Sequence, residues 1–295
     1  ANDRKDMPWQ IGGMIDNQAG ASFSGGTVTA TKGSGTILQN AGTFDVFKLV
    51  GAGDISNSGT LKLGSDYALD GTLTNTGKTD LQGLTVNTGS VFDNTGTSGV
   101  NVKTLTVEGT VQGETGVVDV AANLDVRENA SFTQGTANIA GNGTNAGTMS
   151  VDHLNLKSNA GTFTNAGTGT LSVENTLDVA SGKTFSNAGQ FTGATVKVAG
   201  TGKVANSGAK FAGTTVSVAD TGSFENTAAS GVEIGTLDLT GGSVSGTGSM
   251  KISASLQTAA GTTFAQNVVT TEGSLNVAGT MNIADKLTTN KNATF

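Results

Sequence analysis

The sequence has 295 residues, with no cysteine, one proline, one histidine and a formal net charge of −7. The missing cysteines exclude disulfide scaffolds and cysteine zinc sites, the single histidine excludes chemistry that needs two, and the negative charge disfavours nucleic-acid binding. Glycine (45 residues), threonine (47) and asparagine (25) dominate, a composition that resembles disorder until periodicity is considered.

The first 17 residues contain the only proline and the only tryptophan of the chain, Pro8 and Trp9, together with Ile11. They match none of the repeats that follow. We therefore predict an N-terminal cap or tail over residues 1–17, with the alternative that this segment adds a strand to a neighbouring subunit.

From residue 18 onward, a five-residue word recurs: apolar–x–Asn–(Ala/Ser/Thr)–Gly. A second word, apolar–x–apolar, keeps the same phase, as at Leu84/Val86 and Leu177/Val179. Most copies of each word are about 17–23 residues apart, which indicates a repeat architecture. The asparagines of the first word are Asn40, Asn57, Asn75, Asn94, Asn165, Asn187, Asn206 and Asn226, with a weaker copy at Asn145.

Within each repeat the apolar residues alternate with period 2, which is typical of strands. A repeat of this size cannot bury its own apolar face, but stacked repeats can. We therefore predict an all-β fold, a single-stranded parallel β-helix of roughly 13–14 coils of about 20 residues over residues 18–295.

In this fold each repeated asparagine lies at a corner and hydrogen-bonds its copy in the next coil. The Leu/Val pairs line one inner face. The phenylalanines at a common phase are expected to stack inside as an aromatic ladder; they are Phe92, Phe132, Phe163, Phe185, Phe224 and Phe264.

The search for catalytic residues finds no constellation, so we predict no enzyme activity, no cofactor and no metal site. His153 lies beside a strand without a serine elbow in the sequence. Asp125, Asp178 and Asp238 occupy outward positions several coils apart, too far for paired acid–base work. Threonine richness suggests ice binding, but the middle positions of both words mix Thr with Lys, Asp and Asn, which argues against it.

The C-terminal residues repeat an earlier pattern, since 287–295 matches 124–132 in its apolar ends and its Asn-Ala-Ser/Thr-Phe close. The β-helix is therefore expected to be open or truncated there. An unpaired strand edge is a template for association, so either further coils follow or another chain covers the end. The candidate assembly ends are Pro8, Trp9, Ile11, Leu287 and Phe295.

The repeated Phe-x-Asn-Ala-Gly and Gly-Thr-Leu-x-Val words, with abundant Thr, Asn and Gly, resemble the passenger regions of autotransporters and filamentous-haemagglutinin-like bacterial adhesins. The resemblance covers residues 20–295 and is one of architecture and composition. It implies a right-handed parallel β-helix displayed on a bacterial surface, serving adhesion, self-association or biofilm formation.

We therefore expect a non-enzymatic extracellular protein whose partners are further copies of itself or cell-surface glycans or proteins, with no nucleic acid. The absence of cysteine agrees with export. The sequence contains no apolar run of about 18 residues, so we predict no membrane span. The alternative is a filament subunit that polymerises head to tail through its β-helix ends and N-terminal segment. A minor alternative is a polysaccharide-acting β-helix enzyme.

Overall fold

The structure, a computed structural model, describes residues 8–31, 35–157 and 160–289. The chain divides into two compact units, Ala1–Ile139 (unit 1) and Ala140–Phe295 (unit 2). The described residues form 29 strands and no helix. Short strands alternate with longer ones in both units, which is the pattern that the two sequence words predict.

The strands of unit 1 are β1 (Trp9–Ile11), β2 (Ile15–Asn17), β3 (Ser22–Ala30), β4 (Thr36–Asn40), β5 (Thr43–Val50), β6 (Asp54–Asn57), β7 (Thr60–Leu69), β8 (Thr72–Asn75), β9 (Lys78–Val86), β10 (Val91–Asn94), β11 (Val100–Val107), β12 (Thr110–Gln112), β13 (Val117–Val126) and β14 (Ser131–Ile139).

The strands of unit 2 are β15 (Asn142–Asn145), β16 (Thr148–Leu156), β17 (Gly161–Asn165), β18 (Thr170–Val179), β19 (Lys183–Asn187), β20 (Gln190–Val198), β21 (Lys203–Asn206), β22 (Lys210–Val218), β23 (Ser223–Asn226), β24 (Val232–Leu239), β25 (Ser243–Ser245), β26 (Ser249–Thr258), β27 (Thr263–Thr271), β28 (Ser274–Val277) and β29 (Thr280–Thr289).

Within each unit, a strand pairs in parallel with its copy in the next turn. For example, β8 pairs with β10, and β20 pairs with β22. The predicted single-stranded parallel β-helix is therefore confirmed. The described residues form about 15 turns of ~19 residues, slightly more and shorter turns than predicted.

The extra turn is explained at the N-terminus. β1 pairs with β3, and β2 pairs with β4, so residues 9–17 already have solenoid pairing, ahead of the boundary expected at residue 18. The only proline, Pro8, precedes these strands. No proline therefore removes a backbone N–H donor from the ladder that joins them to the following turns.

The core is a thin column of apolar side chains inside each unit. Along the strands, buried and outward residues alternate, as in β10, where Phe92 and Asn94 point inward and Val91 and Asp93 point outward. The bend within the long strands lets one strand supply two walls, and the register shifts at that bend in several pairs, such as β11 with β13. Leu, Val, Ile and Phe side chains fill the interior.

Candidate functional site

Each unit contains a ladder of five inward asparagines, one per turn. Along each ladder, the Nδ2 of one asparagine donates to the Oδ1 of the next, and most of these Nδ2 groups also donate to a backbone carbonyl. In unit 1 the ladder is Asn17, Asn40, Asn57, Asn75 and Asn94, with Nδ2–Oδ1 distances of 2.7, 2.7, 2.7 and 2.9 Å. In unit 2 it is Asn145, Asn165, Asn187, Asn206 and Asn226, with distances of 2.9, 2.8, 2.8 and 3.0 Å.

These asparagines are all buried, so their amide groups depend on one another for hydrogen bonds. Asn187 is representative, because its Nδ2 also donates to the carbonyl of Lys210 at 3.0 Å. Asn145 is the exception, since its Oδ1 has no hydrogen-bond partner in the part of the chain that the structure describes. The ladders tie each turn to its neighbours through side chains in addition to the backbone.

Each ladder is closed by a glutamine that reaches across a glycine turn. In unit 1, Asn94 Nδ2 donates to Gln134 Oε1 at 2.8 Å, and Gly113 occupies the intervening turn. A Cβ on Gly113 would lie 1.7 Å from the Asn94 carbonyl oxygen and 3.1 Å from Gln134 Nε2. Because Gly113 has no side chain, the longer side chain of Gln134 has space to cross that turn and reach Asn94.

The same device recurs in unit 2. Asn226 Nδ2 donates to Gln266 Oε1 at 3.2 Å, past Gly246. Both closing bonds join residues 40 positions apart, and both glutamines return Nε2 to a carbonyl of their own strand. Sequence reasoning missed both residues, although Phe132-Thr133-Gln134 repeats the apolar–x–Asn word with glutamine in place of asparagine.

The predicted aromatic positions are inward, but the rings of unit 2 do not form a single column. Val204 lies between Phe185 and Phe224 in the register. The aromatic contacts instead pass through Phe191 and Phe211, with centroid distances of 5.2 Å, 4.8 Å and 5.1 Å along the series from Phe185 to Phe224. The buried rings at the predicted positions are Phe92, Phe132, Phe163, Phe185, Phe224 and Phe264.

In unit 1, Val111 lies between Phe92 and Phe132 in the same way. The alternation is not general, because Phe163 and Phe185 occupy the same position in adjacent turns of unit 2, with centroids 6.2 Å apart. The inner wall is therefore mixed, with Phe and Val sharing the position that was expected to hold a continuous ladder.

The residues expected at assembly ends are partly exposed. Pro8 precedes β1 and is exposed, while Ile11 is half-buried. Trp9 is 47% exposed and lies in the first described strand, and Leu287, in β29, is 41% exposed. Phe295 lies outside the described residues.

The outward acids and the histidine do not converge. Asp178 and Asp238 are three strand pairings apart in unit 2, roughly 14 Å at the usual strand spacing. Asp125 in unit 1 forms an ion pair with Arg127 at 3.0 Å, and His153 is exposed. Within residues 8–31, 35–157 and 160–289, no group of three or more acidic or histidine side chains could hold a metal ion.

Lys183 is a buried charge that sequence reasoning missed. Its Nζ donates to the carbonyl oxygen of Ala140 at 2.6 Å and to that of Gly141, and burial lowers the pKa of its ammonium group. It pairs in register with Gly161, where a Cβ would lie 3.0 Å from Nζ. Lys183 thus resembles Gln134 and Gln266, because its long side chain also crosses a turn that has glycine at the paired position.

The outward side of unit 2 carries a row of hydroxyl side chains, one for each of six successive turns. Successive strand pairings place them side by side, and five of the six are half-buried. This hydroxyl row consists of Thr176, Thr195, Thr215, Thr236, Ser255 and Ser274.

In comparisons with known proteins, no family model, no curated protein and no solved structure matches the chain. Among the described residues, no helix has the length and hydropathy of a membrane-spanning segment.

Proposed function

We propose that this chain is an extracellular bacterial surface protein that mediates adhesion and self-association, without catalysis, through the outward side of its solenoid. The observation that supports this proposal is the hydroxyl row of unit 2. A row of donors and acceptors at a constant spacing is suited to another surface with the same spacing, above all a second copy of the chain.

The magnitude of such an interaction depends on the number of contacts. At about 4.8 Å per strand, the six side chains span about 24 Å. One exposed hydrogen bond contributes only about 0.5–1.5 kcal/mol. Six of them held on one rigid surface act together, so that a weak single contact becomes a strong multiple one.

The extracellular bacterial setting rests on the resemblance of the repeats to surface adhesins and on a composition free of cysteine. Parallel stacking on both sides of nearly every strand also gives a rigid support for a contact surface.

The test is adhesion of beads coated with the protein. A variant with Thr195→Glu, Thr215→Glu and Thr236→Glu places three like charges along the hydroxyl row, and it should disperse beads that cluster when coated with the original chain. The matched control introduces three glutamates on another outward row of unit 2, at positions 164, 186 and 205, which are paired in register. Equal clustering by the two variants contradicts the assignment of this face.

A second candidate is a filament subunit joined end to end. It is favoured by apolar exposure on the first and last described strands, where Trp9 and Leu287 are 47% and 41% exposed. Filaments of the 295-residue chain that vanish when residues 1–17 are deleted would support it. Persistence of clustering after that deletion would favour the lateral contact instead.

A further inference from the structure

One exposed aromatic ring lies on the side of unit 1. Two exposed apolar residues, Phe47 (49%) and Val50 (38%), lie in β5, which pairs with β3 along most of its length and with β7 over residues 43–46. β5 is therefore an interior strand of unit 1, and the two residues follow the point where its pairing with β7 stops. The other large apolar side chains that are exposed among the described residues belong to the first strand, the loop that follows it, or the last two strands; they are Trp9, Met14, Val277 and Leu287.

The neighbouring turns make room for this ring. Phe47 lies at the bend of β5, between Val46 and Lys48, which pair with Gly25 and Thr27 of β3. On the other side, a Cβ on Gly64 would lie 3.2 Å from Phe47 Cδ2. The backbone of Gly64 has no left-handed φ, so its conformation does not require glycine, and a glycine inside a strand weakens it. What Gly64 provides is space for the ring of Phe47.

Charged groups border the ring. Asp45 precedes Phe47 by two residues and points to the same outer face. Its carboxylate forms an ion pair with Lys62 at 3.2 Å, and both side chains are about half exposed. Lys48 follows Phe47 and is also exposed. The surface thus combines one apolar face with a carboxylate and two ammonium groups.

We propose that Phe47 is the platform of a glycan-binding site, on which a β-linked pyranose lies with its C–H face against the ring. The sugar hydroxyls at the edge of that pyranose bond to Asp45, Lys62 and Lys48. Sugars with equatorial substituents, such as β-linked glucose and N-acetylglucosamine, present C–H bonds on both faces and hydroxyls around the rim. That distribution matches an aromatic face with a polar border.

The size of the patch selects a sugar over a protein partner. A phenylalanine side chain buries about 150–250 Å² when fully covered, whereas a stable protein interface needs about 800 Å² from each partner. The inference is independent of the self-association proposed for unit 2, because it rests on other residues of another unit.

The experiment titrates cellotetraose and chitotetraose into the 295-residue chain and follows binding by saturation-transfer NMR and calorimetry. At least one tetraose should bind. Phe47→Ala should weaken that binding about tenfold, the loss expected for one aromatic face contact. Phe47→Tyr keeps the ring and should retain it. Gly64→Val should weaken binding with Phe47 still present, because the added side chain displaces the ring.

Circular dichroism and thermal unfolding establish that each variant is folded, and bead clustering through unit 2 should be unchanged in all of them. Failure of both sugars to bind the original chain overturns the proposal, as does binding that Phe47→Ala leaves intact. Dimerisation of the original chain that Phe47→Ala abolishes, measured by sedimentation, would assign the patch to a second copy and also overturn it.

Discussion

The asparagine ladders can be tested by comparing an interior member with an end member of the same ladder. Asn187→Ala removes three short hydrogen bonds: one accepted from Asn165 Nδ2, one donated to Asn206 Oδ1 and one donated to the Lys210 carbonyl, at 2.8, 2.8 and 3.0 Å. A fourth, longer donation to the Gly189 carbonyl, at 3.4 Å, is lost as well. At about 1 kcal/mol each, with a further penalty for buried acceptors left without donors, the expected loss is about 3–5 kcal/mol of unfolding free energy.

Asn145→Ala removes the same atoms at the end of the ladder. It loses two donated bonds, to Asn165 Oδ1 and the Thr170 carbonyl, but it also removes an Oδ1 that has no partner among the described residues. This variant loses one fewer short bond, has no counterpart of the longer Gly189 contact, and removes one unsatisfied oxygen. It should therefore be about 2–4 kcal/mol less damaging than Asn187→Ala.

Both substitutions lie in unit 2, so urea unfolding followed by far-ultraviolet circular dichroism compares them in the same transition. Both side chains are fully buried, so each substitution deletes the same atoms from the interior. Equal losses in the two variants would refute the cooperative ladder, and so would a loss below about 1 kcal/mol for Asn187→Ala.

Three other substitutions or titrations test individual features. Gln134→Asn shortens the side chain whose Oε1 accepts from Asn94 Nδ2 at 2.8 Å. We expect the free energy of urea unfolding to fall by about 1–3 kcal/mol, and an unchanged free energy would contradict a stabilising Asn94–Gln134 hydrogen bond. Gly246→Ala should cost several kcal/mol because of its φ of 126° and a Cβ only 2.0 Å from a carbonyl oxygen, whereas the control Gly167→Ala, with no atom within 4 Å, should be nearly neutral in the same assay. Burial, with a smaller effect of nearby Asp70, raises the pKa of Tyr67, the only tyrosine, to about 12. The contribution of neutral Tyr67 to stability is therefore complete below pH 10 and is lost as the pH rises to about 12. An ultraviolet titration of the folded protein with a midpoint near pH 10 would contradict the burial of Tyr67.

The sequence was sufficient for the parts of the fold that repeat. Asn57 and Asn75 could be placed in one column because the same word surrounds both at a constant interval, and period-2 alternation indicates inward residues without knowledge of the fold. The apolar–x–apolar word located the long strands for the same reason. These features depend on local pattern alone.

The parts that could not be predicted depend on what fills a neighbouring turn. Gln134 takes the place of an asparagine only because Gly113 has no side chain, and the sequence gives no distance between them. Lys183 is buried only because Gly161 leaves space for it. The aromatic contacts through Phe191 were missed because they join two walls of one turn, whereas repeat alignment compares one wall across several turns.

The side surface also lay beyond sequence reasoning. Exposure of Phe47 follows from a bend inside β5, and apolar residues in a repeat protein are otherwise expected to point inward. The hydroxyl row occupies the position just before the apolar–x–apolar word, next to the middle position of that word, which mixes Thr with Lys, Asp and Asn. Both features required the register between turns.

The most direct measurement is adhesion of living cells that display this chain. A non-adherent bacterium should form aggregates in suspension when it displays the original 295 residues. It should form few when it displays the variant with glutamates at positions 195, 215 and 236, at equal surface levels and with the fold intact. Cells that remain dispersed with the original chain on their surface, or that aggregate equally with the variant, would contradict a self-associating role for the outward face of unit 2.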